Sequence, residues 1–559
     1  MNACLAVLAC ALPALLLCCA VQAQPSGPPG PTQPDSPRFD ILEFVVEGDT
    51  LLGSAAIERA VYPFLGPGRS VADAEGARQA LEAAYQAAGF LSVTVLLPPQ
   101  RIDQAGGELR LQVLQAPVAR LRVTGAEYSL PSAVRAAVPS LAPGNVPNFN
   151  EMQQELGDLA RRSADRELTP LLAAGTRPGT LDVELKLQET LPLHGAVELN
   201  SKRVLNTEPG RLAAGLRYDN LFQRGHSLGF DWLYSPRRPA QANIQSLLYH
   251  LPLGAEGDRL FVTFTHSNSD TPTALGGATV SRGDTLRLRW RDVLGPVATT
   301  SQSLSWGLTL RDLRDGNRGV AGFVTPSSPL RYPSFSLGWD LDLPGTASTP
   351  GRFTRLQAEL TLGLRGLGAR TVDCNGVPKD LFDCKRAGAQ PGFQVVTFNL
   401  SHQEPLGRWS LLARLQGQLS DAPLVSAEQV VYGGEASVRG YFEGEQAGDI
   451  GAALRLELSA PPWVLPVPSW ARTDTLQLQA LLFHDLARLQ RLEPLPGEQA
   501  KARLASAGLG LRLNGPMGLQ AELSWSHVLQ ATGLADGAGQ RQTTTARGQR
   551  WDVSLRQSF

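Results

Sequence analysis

The downstream two thirds of this chain alternates. From Gly195 to Phe559, apolar and polar residues follow one another with a period of two, in segments of about 8–13 residues bounded by Gly, Pro, Asn or Asp. Leu286-Arg287-Leu288-Arg289-Trp290 and Leu509-Gly510-Leu511-Arg512-Leu513 are two examples. Such a period sends successive side chains to opposite faces of an extended strand. The segments begin near residues 195, 210, 226, 241, 258, 282, 300, 332, 350, 392, 407, 450, 474, 503, 517 and 549. That makes sixteen. An even number of long strands, apolar on one face and charged on the other, predicts a closed antiparallel barrel with lipid outside and a polar bore. A soluble β-sandwich is the alternative, but it packs its apolar faces inward and rarely sustains so many long strands.

The joins sharpen this expectation. Those after even-numbered segments are mostly short: Asn220 to Gly225, Pro252 to Gly257, Glu404-Pro405-Leu406 and Asn514-Gly515-Pro516. Those after the seventh, ninth, eleventh and fifteenth are long, at 312–331, 363–391, 419–449 and 528–548. Short turns on one side and long loops on the other is the asymmetry of outer-membrane barrels. Only Pro461 to Asp474 is longer than its side should allow.

The start of the chain agrees with export. Leu5 to Val21 is almost wholly apolar and ends in Val21-Gln22-Ala23, which predicts a signal peptide over 1–23 and a mature start at Gln24. A short membrane anchor and a lipoprotein signal are the alternatives; Pro13 breaks the run, Ala9-Cys10 comes too early, and Leu17 precedes Cys18. Cys4, Cys10, Cys18 and Cys19 would leave with the signal. No later stretch reaches the roughly 18 apolar residues of a membrane-spanning helix. The formal net charge of −1 lacks the basic excess of a nucleic-acid protein.

Gln24 to Arg38 is rich in Pro, Gly and Ser and reads as a linker over 24–38. Two small α+β modules follow, at 39–116 and 117–190. In the first, Phe39 to Glu47 is a strand, residues 54–62 a short helix, and Ser70 with Asp73 opens a longer helix that Gly89 stops. Ala77, Leu81, Ala84, Tyr85 and Ala88 give that helix one apolar face. Phe90 to Leu97 and Glu108 to Leu114 are strands. The second module repeats the order, with strands at Val118 to Thr124, 168–173 and Leu181 to Gln188, and helices at Pro131 to Val138 and Asn150 to Arg162. This tandem resembles polypeptide-transport-associated (POTRA) domains. The predicted fold is two periplasmic α+β POTRA domains followed by a 16-stranded antiparallel transmembrane β-barrel over 191–559.

Two motifs extend the resemblance. Loop 419–449 carries Val438-Arg439-Gly440-Tyr441, which looks like the VRGY signature of outer-membrane transporters related to BamA. The thirteenth segment carries Phe483-His484-Asp485-Leu486-Ala487, similar to that family's F-x-D-x-G motif with Ala487 in place of Gly. Leu216-Arg217-Tyr218-Asp219-Asn220-Leu221-Phe222 looks like its early barrel segment. With two POTRA domains, the chain resembles the two-partner secretion transporters of the ShlB/FhaC/HecB haemolysin secretion/activation family. The resemblance implies that Arg439 grips Asp485 and holds the loop inside the barrel. Arginine presents a planar fork of donors suited to a carboxylate. It also implies an unfolded exoprotein partner, of β-helical haemolysin or adhesin type, bound by the POTRA domains and passed through the bore. Trp551, Val553, Leu555 and Phe559 share one face of the last strand and resemble the signal read by the barrel-assembly machinery. The family often has an N-terminal plug helix; Gln24 to Arg38 is too Pro-rich for one.

Cys374 and Cys384 are the only cysteines of the mature chain, and both fall in the long loop 363–391. An oxidising compartment favours a bridge worth roughly 3 kcal/mol on loop entropy; free thiols or a metal-binding pair are the alternatives. No HExxH, Walker or CxxC pattern occurs. No cofactor, metal or nucleic acid is expected, and outer-membrane lipid is. Two other functions use similar parts: a barrel-assembly factor or insertase, and a barrel enzyme such as a lipase.

Overall fold

A computed structural model describes residues 38–559 apart from 49–50, 102–105, 206, 254–256, 270–272, 276–277, 281, 298–299, 315–328, 369, 375, 467–474, 497 and 533–543. The expected signal peptide and nearly all of the 24–38 linker, with its expected lack of a plug helix, lie outside the described residues.

The first module is a three-stranded sheet backed by two helices, Ser54–Val61 and Val71–Ala87. Its sheet order is Glu43–Glu47, Glu108–Leu114, Thr94–Leu96, with the first two strands parallel. Ser70 caps the longer helix: its hydroxyl accepts from the Asp73 amide at 3.3 Å while Asp73 accepts from the Ser70 amide at 2.8 Å. The apolar face of that helix, Ala77, Leu81 and Tyr85, is fully buried with Val95 and Leu111 of the sheet. Two expected strands are shorter than their sequence pattern. Phe39 to Glu47 divides at Leu42, because Phe39–Ile41 pairs with Gly66–Arg69 while Glu43–Glu47 pairs with Glu108–Leu114. Phe90 to Leu97 shrinks to Thr94–Leu96, because the Phe90 amide turns back to the Tyr85 carbonyl at 2.9 Å around Gly89, at φ +98°.

The second sheet has the order Val118–Thr124, Leu181–Glu189, Arg166–Ala174, with helices Pro131–Ala136 and Phe149–Arg161. Glu189, at the end of the central strand, accepts from three consecutive amides, those of Glu127, Tyr128 and Ser129, at 2.7, 2.7 and 3.1 Å. Burial pushes its carboxyl up, but the Ser129 hydroxyl and the three amides outweigh this and hold it below the usual carboxylate range.

The barrel strands are β1 (Leu193–Asn200), β2 (Arg211–Leu221), β3 (His226–Tyr234), β4 (Asn243–Leu253), β5 (Asp258–Ser267), β6 (Gly283–Val297), β7 (Thr300–Leu313) and β8 (Leu330–Pro344). They continue as β9 (Phe353–Gly363), β10 (Gln394–Leu406), β11 (Trp409–Ser420), β12 (Ile450–Ser459), β13 (Leu476–Gln490), β14 (Lys501–Asn514), β15 (Leu519–Val528) and β16 (Gln549–Ser558). Each strand pairs antiparallel with its sequence neighbours, and β16 pairs with β1 to close the barrel. All sixteen expected segments are present, each starting within three residues of its expected position. A short strand, Trp463–Leu465, pairs with β13 and occupies part of the one overlong short-side join.

Alternation decides the two faces. Leu288 and Trp290 face outward while Arg287 and Arg289 face the bore, where Arg287 meets Glu359 at 2.7 Å. Trp551, Val553 and Leu555 of β16, and Phe559 just past its end, are all exposed on the outer face. The seam is brief: five residue pairs join β16 to β1, from Ser554↔Asn200 to Ser558↔Ala196. Phe559 and Gly195 extend it with two backbone bonds of 2.9 and 3.0 Å. A side chain on Gly195 would collide with the Phe559 ring, since an added Cβ falls 2.3 Å from Cζ.

Two outcomes are expected. Gly195→Val in the full-length protein should lower the fraction that runs as the compact, heat-modifiable band in electrophoresis. Because the Glu189 carboxyl is held low, its stabilisation is present above the ordinary carboxylate range and is lost as pH falls through its own lower value. Hydrogen exchange at residues 127–129 should therefore be faster in Glu189→Gln at pH 7, with the difference from wild type vanishing on acidification.

Candidate functional site: an arginine-bearing loop on the inner barrel wall

The join between β11 and β12 turns back as a hairpin. Val430–Tyr432 pairs with Gln446–Gly448, and the tip between them carries the glycine-rich run from Gly433 to Glu445. The tip is shaped by residues that tolerate its backbone. Gly433 and Gly434 adopt φ of +118° and +93°, and the Ser437 hydroxyl accepts from the Gly433 amide at 2.8 Å. Gly440 sits at φ +90°, and a Cβ there would lie 3.0 Å from Ser526 Cβ and 3.1 Å from Val528 Cγ2 on β15. Only glycine fits both that conformation and that approach.

Arg439 precedes it and is completely buried, as is Asp485 on β13. The guanidinium donates through Nε to Asp485 Oδ2 at 2.7 Å and through Nη2 to Oδ1 at 2.8 Å. Its third arm, Nη1, donates to Glu457 Oε1 on β12 at 2.9 Å. The Arg439 amide adds a bond to Asp485 Oδ2 at 3.1 Å. Phe483, two residues before Asp485 and on the same face, lies under the guanidinium at 3.5 Å from its ring centre.

Further charges surround this cluster. Arg455 donates to Glu457 at 2.9 Å and to the Glu435 carbonyl at 2.7 Å. Arg512 on β14 lies 3.5 Å from Glu457 and 3.2 Å from Glu522. Three arginines thus meet three carboxylates. Burying ions is tolerable when each is paired and hydrogen-bonded this way.

The rest of the tip reaches other strands. Tyr441 donates its hydroxyl to the Gln530 carbonyl at 2.5 Å and accepts from the Ala505 amide at 3.0 Å. Arg550 on β16 donates to the Tyr441 carbonyl at 3.0 Å. The Phe442 ring has Arg203 and Arg550 at 4.9 and 5.1 Å, and Lys202 meets Glu435 at 3.1 Å. The loop therefore touches both the β12–β13 wall and the strands beside the seam. Val438 lies in a buried apolar cluster with Tyr432, Tyr441, Leu489, Leu504 and Val528. Ala487 belongs to the same cluster, so its methyl is accommodated while the Arg439 amide still reaches Asp485.

Three acidic residues of this region were not singled out in the sequence. Glu457 shares Arg439. Glu445 accepts from Phe442 N, Thr532 Oγ1, Thr544 N and Thr544 Oγ1 at 2.7–3.0 Å. Asp449, fully buried, accepts from Leu424 N, Gln429 Nε2, Leu492 N and Arg386 Nη2 at 3.0, 2.9, 2.7 and 3.4 Å. Asp449 thus fastens the base of the hairpin to the β9–β10 and β13–β14 loops. Cys374 and Cys384 are disulfide-bonded in the β9–β10 loop, with Cα atoms 5.8 Å apart. Among the described residues one trio could ligate a metal, Asp165, His194 and Asp219. Its members already serve one another: His194 Nε2 lies 3.0 Å from Asp165, and Arg217 Nε lies 3.0 Å from Asp219 Oδ2.

The model of the haemolysin secretion/activation protein ShlB/FhaC/HecB family matches residues 179–513, and that of the ShlB-type POTRA domain matches 39–116. The chain belongs to the ShlB/FhaC/HecB family. As such it is an outer-membrane transporter of two-partner secretion with its N-terminal POTRA region in the periplasm. It is 25% identical to the outer membrane transporter CdiB of Dickeya dadantii (strain 3937) over 442 residues, 77% of this chain and 74% of that one. It is 27% identical to CdiB of Escherichia coli O6:K15:H31 (strain 536 / UPEC) over 460 residues, 79% of this chain and 72% of that one. Among solved structures, CdiB from Escherichia coli superposes with a TM-score of 0.60 at 21% identity, covering 95% of this chain and 93% of the other. BamA from Haemophilus ducreyi lacking POTRA domains 1–3 gives 0.53 at 15% identity, covering 93% and 100%, a likeness of fold alone.

Removing Arg439 would take from the buried Asp485 its bidentate partner, leaving only Arg455 at 3.9 Å, while Glu457 would keep Arg455 and Arg512; the loss is about 3–5 kcal/mol. Arg439→Ala should free the hairpin, read as faster limited proteolysis between 421 and 449 in a barrel that remains heat-modifiable. Arg439→Lys should restore little, because an ammonium cannot bridge both carboxylates with the same fork.

Proposed function

We propose that the chain binds an unfolded exoprotein at the exposed sheet edges of its POTRA modules and passes it through the barrel while the Arg439 hairpin moves aside. The observation that carries this reading is the buried, bidentate Arg439–Asp485 pair, which holds a loop against the inner wall through non-covalent bonds alone. Such an attachment can be broken and remade. The edge strands support the capture step. Among the described residues Arg166–Ala174 pairs on one side only, with Leu181–Glu189, and its outer backbone groups can accept an added strand without a side-chain code. Arg439, Gly440, Tyr441 and Val438 serve as the loop lock in this reading, and Phe483 and Asp485 as its receptor. The Trp551, Val553, Leu555 and Phe559 face serves assembly of the barrel itself by the barrel-assembly machinery, and the Cys374–Cys384 bridge stiffens an outer loop. The cargo is a large exoprotein of β-helical haemolysin or adhesin type. Its folding outside supplies the drive, since no nucleotide motif occurs in the chain.

Deleting the gene should remove one large protein from the culture medium while other outer-membrane barrels assemble normally. Complementation with Arg439→Ala or Asp485→Ala should restore about a tenth or less of its secretion, with the barrel still present in the membrane. General failure of barrel assembly, with secretion intact, would instead identify an insertase.

A further inference from the structure

The bore has a second charged region, away from the hairpin. Arg287, Arg289 and Arg291 stand two residues apart on the inner face of β6, and Arg259 of β5 is in register with Arg291. Arg355 on β9 faces the same space, a cavity of about 450 Å³ whose other lining residues include Asp340, Asp342 and Gln357. The neighbouring strand makes room for this column. Opposite it on β7 lie Ser303, Ser305, Gly307 and Thr309, none of them large. On β8, a Cβ at Gly338 would fall 3.1 Å from Arg289 Nη2. The arginines therefore lie across a floor of hydroxyls and glycines.

The charge around this cavity is unbalanced. Four guanidinium groups, those of Arg287, Arg289, Arg291 and Arg355, line it with two carboxylates, those of Asp340 and Asp342, and Glu359 stands beside it, 3.9 Å from Arg289. Arg287 takes both oxygens of Glu359 at 2.7 and 2.8 Å, and Arg355 takes Asp342. Asp340 accepts from Gln357 at 2.9 Å and stands 3.7 Å from Arg289. Arg289 and Arg291 make their close bonds to hydroxyls, Ser305 at 2.7 Å and Ser303 at 2.9 Å. Among the described residues Arg291 has no ion pair. The Arg439 cluster is the reverse: three cations and three anions, closed upon themselves. An arginine fork whose remaining N–H groups face a cavity is matched by a carboxylate. Low-dielectric walls around a like-charged lining also focus its field on a passing anion.

The geometry points to a carboxylate-binding subsite for the cargo in transit: we propose that Arg289 and Arg291 hold acidic side chains of the exoprotein as they pass along the bore. The subsite would slow or register an acidic segment and give basic segments no foothold. This rests on the translocator reading above and adds to it the chemical class of the segment that the bore prefers.

The test is fluorescence anisotropy with the full-length protein in detergent, using fluorescein-labelled hexaglutamate and hexalysine as probes at low salt. Hexaglutamate should bind and hexalysine should not, and binding should weaken steeply with added salt. Arg289→Gln with Arg291→Gln should weaken hexaglutamate by about tenfold or more, the scale of one charged hydrogen bond. Arg331→Gln, an exposed charge outside the cavity, should leave it unchanged, and Arg289→Glu with Arg291→Glu should bind hexalysine instead. Heat-modifiability confirms that each variant is folded. Equal hexaglutamate binding by wild type and the double glutamine variant, or preference of the wild type for hexalysine, would overturn the proposal. The assay contains no exoprotein, so its failure leaves the secretion result standing, and failure of the secretion experiment leaves the binding result readable.

Discussion

An arginine with no exposed surface sets the terms for the interior of this barrel. Its guanidinium can be removed from water only because every arm has a carboxylate and its flat face an aromatic ring. Those partners lie on two adjacent strands, β12 and β13, where Glu457 is in register with Phe483 and Arg455 with Asp485. The hairpin therefore has one place to dock and one depth at which to do so. Gly440 permits the backbone to come that close to β15, and Tyr441 then reaches the Ala505 amide on β14 and the Gln530 carbonyl just past β15. A single ion cluster thus positions a long loop that has little regular structure of its own.

The barrel and the hairpin depend on each other. Closure at the β16–β1 seam uses five residue pairs, fewer than other neighbouring strands share. Beside the seam, the hairpin tip contributes Glu435 to Lys202, the Glu443 amide to the Arg203 carbonyl at 3.0 Å, and the Tyr441 carbonyl to Arg550. These contacts bring side chains from β16 and from the segment after β1 onto one loop. The hairpin is accordingly an internal brace for the shortest row of pairs in the wall.

Much of this was legible from residue order because the period of a strand is two, and a slip of one residue would turn every apolar side chain inward. That constraint located all sixteen barrel strands. The POTRA strands were less well defined because they are short and their ends are set by turns: Gly89 and Leu42 redirect the chain where alternation alone would continue it. The Arg439–Asp485 pair could be anticipated from two motifs. Glu457 could not, since one acidic residue on an alternating strand looks like any other charge facing the bore. Asp449 and Glu445 were hidden for a different reason: their partners are mostly backbone amides and hydroxyls brought from distant loops, which leave no pattern in the sequence. The arginine column on β6 was visible as alternation, but its shortage of carboxylates depends on which strands stand beside it.

Asp449 gives the outer mouth a property that separate loops would lack. The same carboxylate holds the hairpin base at Leu424 and Gln429, the β13–β14 loop at Leu492 and the β9–β10 loop at Arg386. Withdrawal of the hairpin in the proposed cycle must release this knot together with the Arg439 cluster. Because both attachments must be broken, their free energies add, and full release of the hairpin is rarer than loss of either attachment alone. A cargo that shifts such an equilibrium from about 1:99 to 99:1 must favour the open form by roughly 5.5 kcal/mol. Ions and small solutes that bind both forms alike exert no such pull.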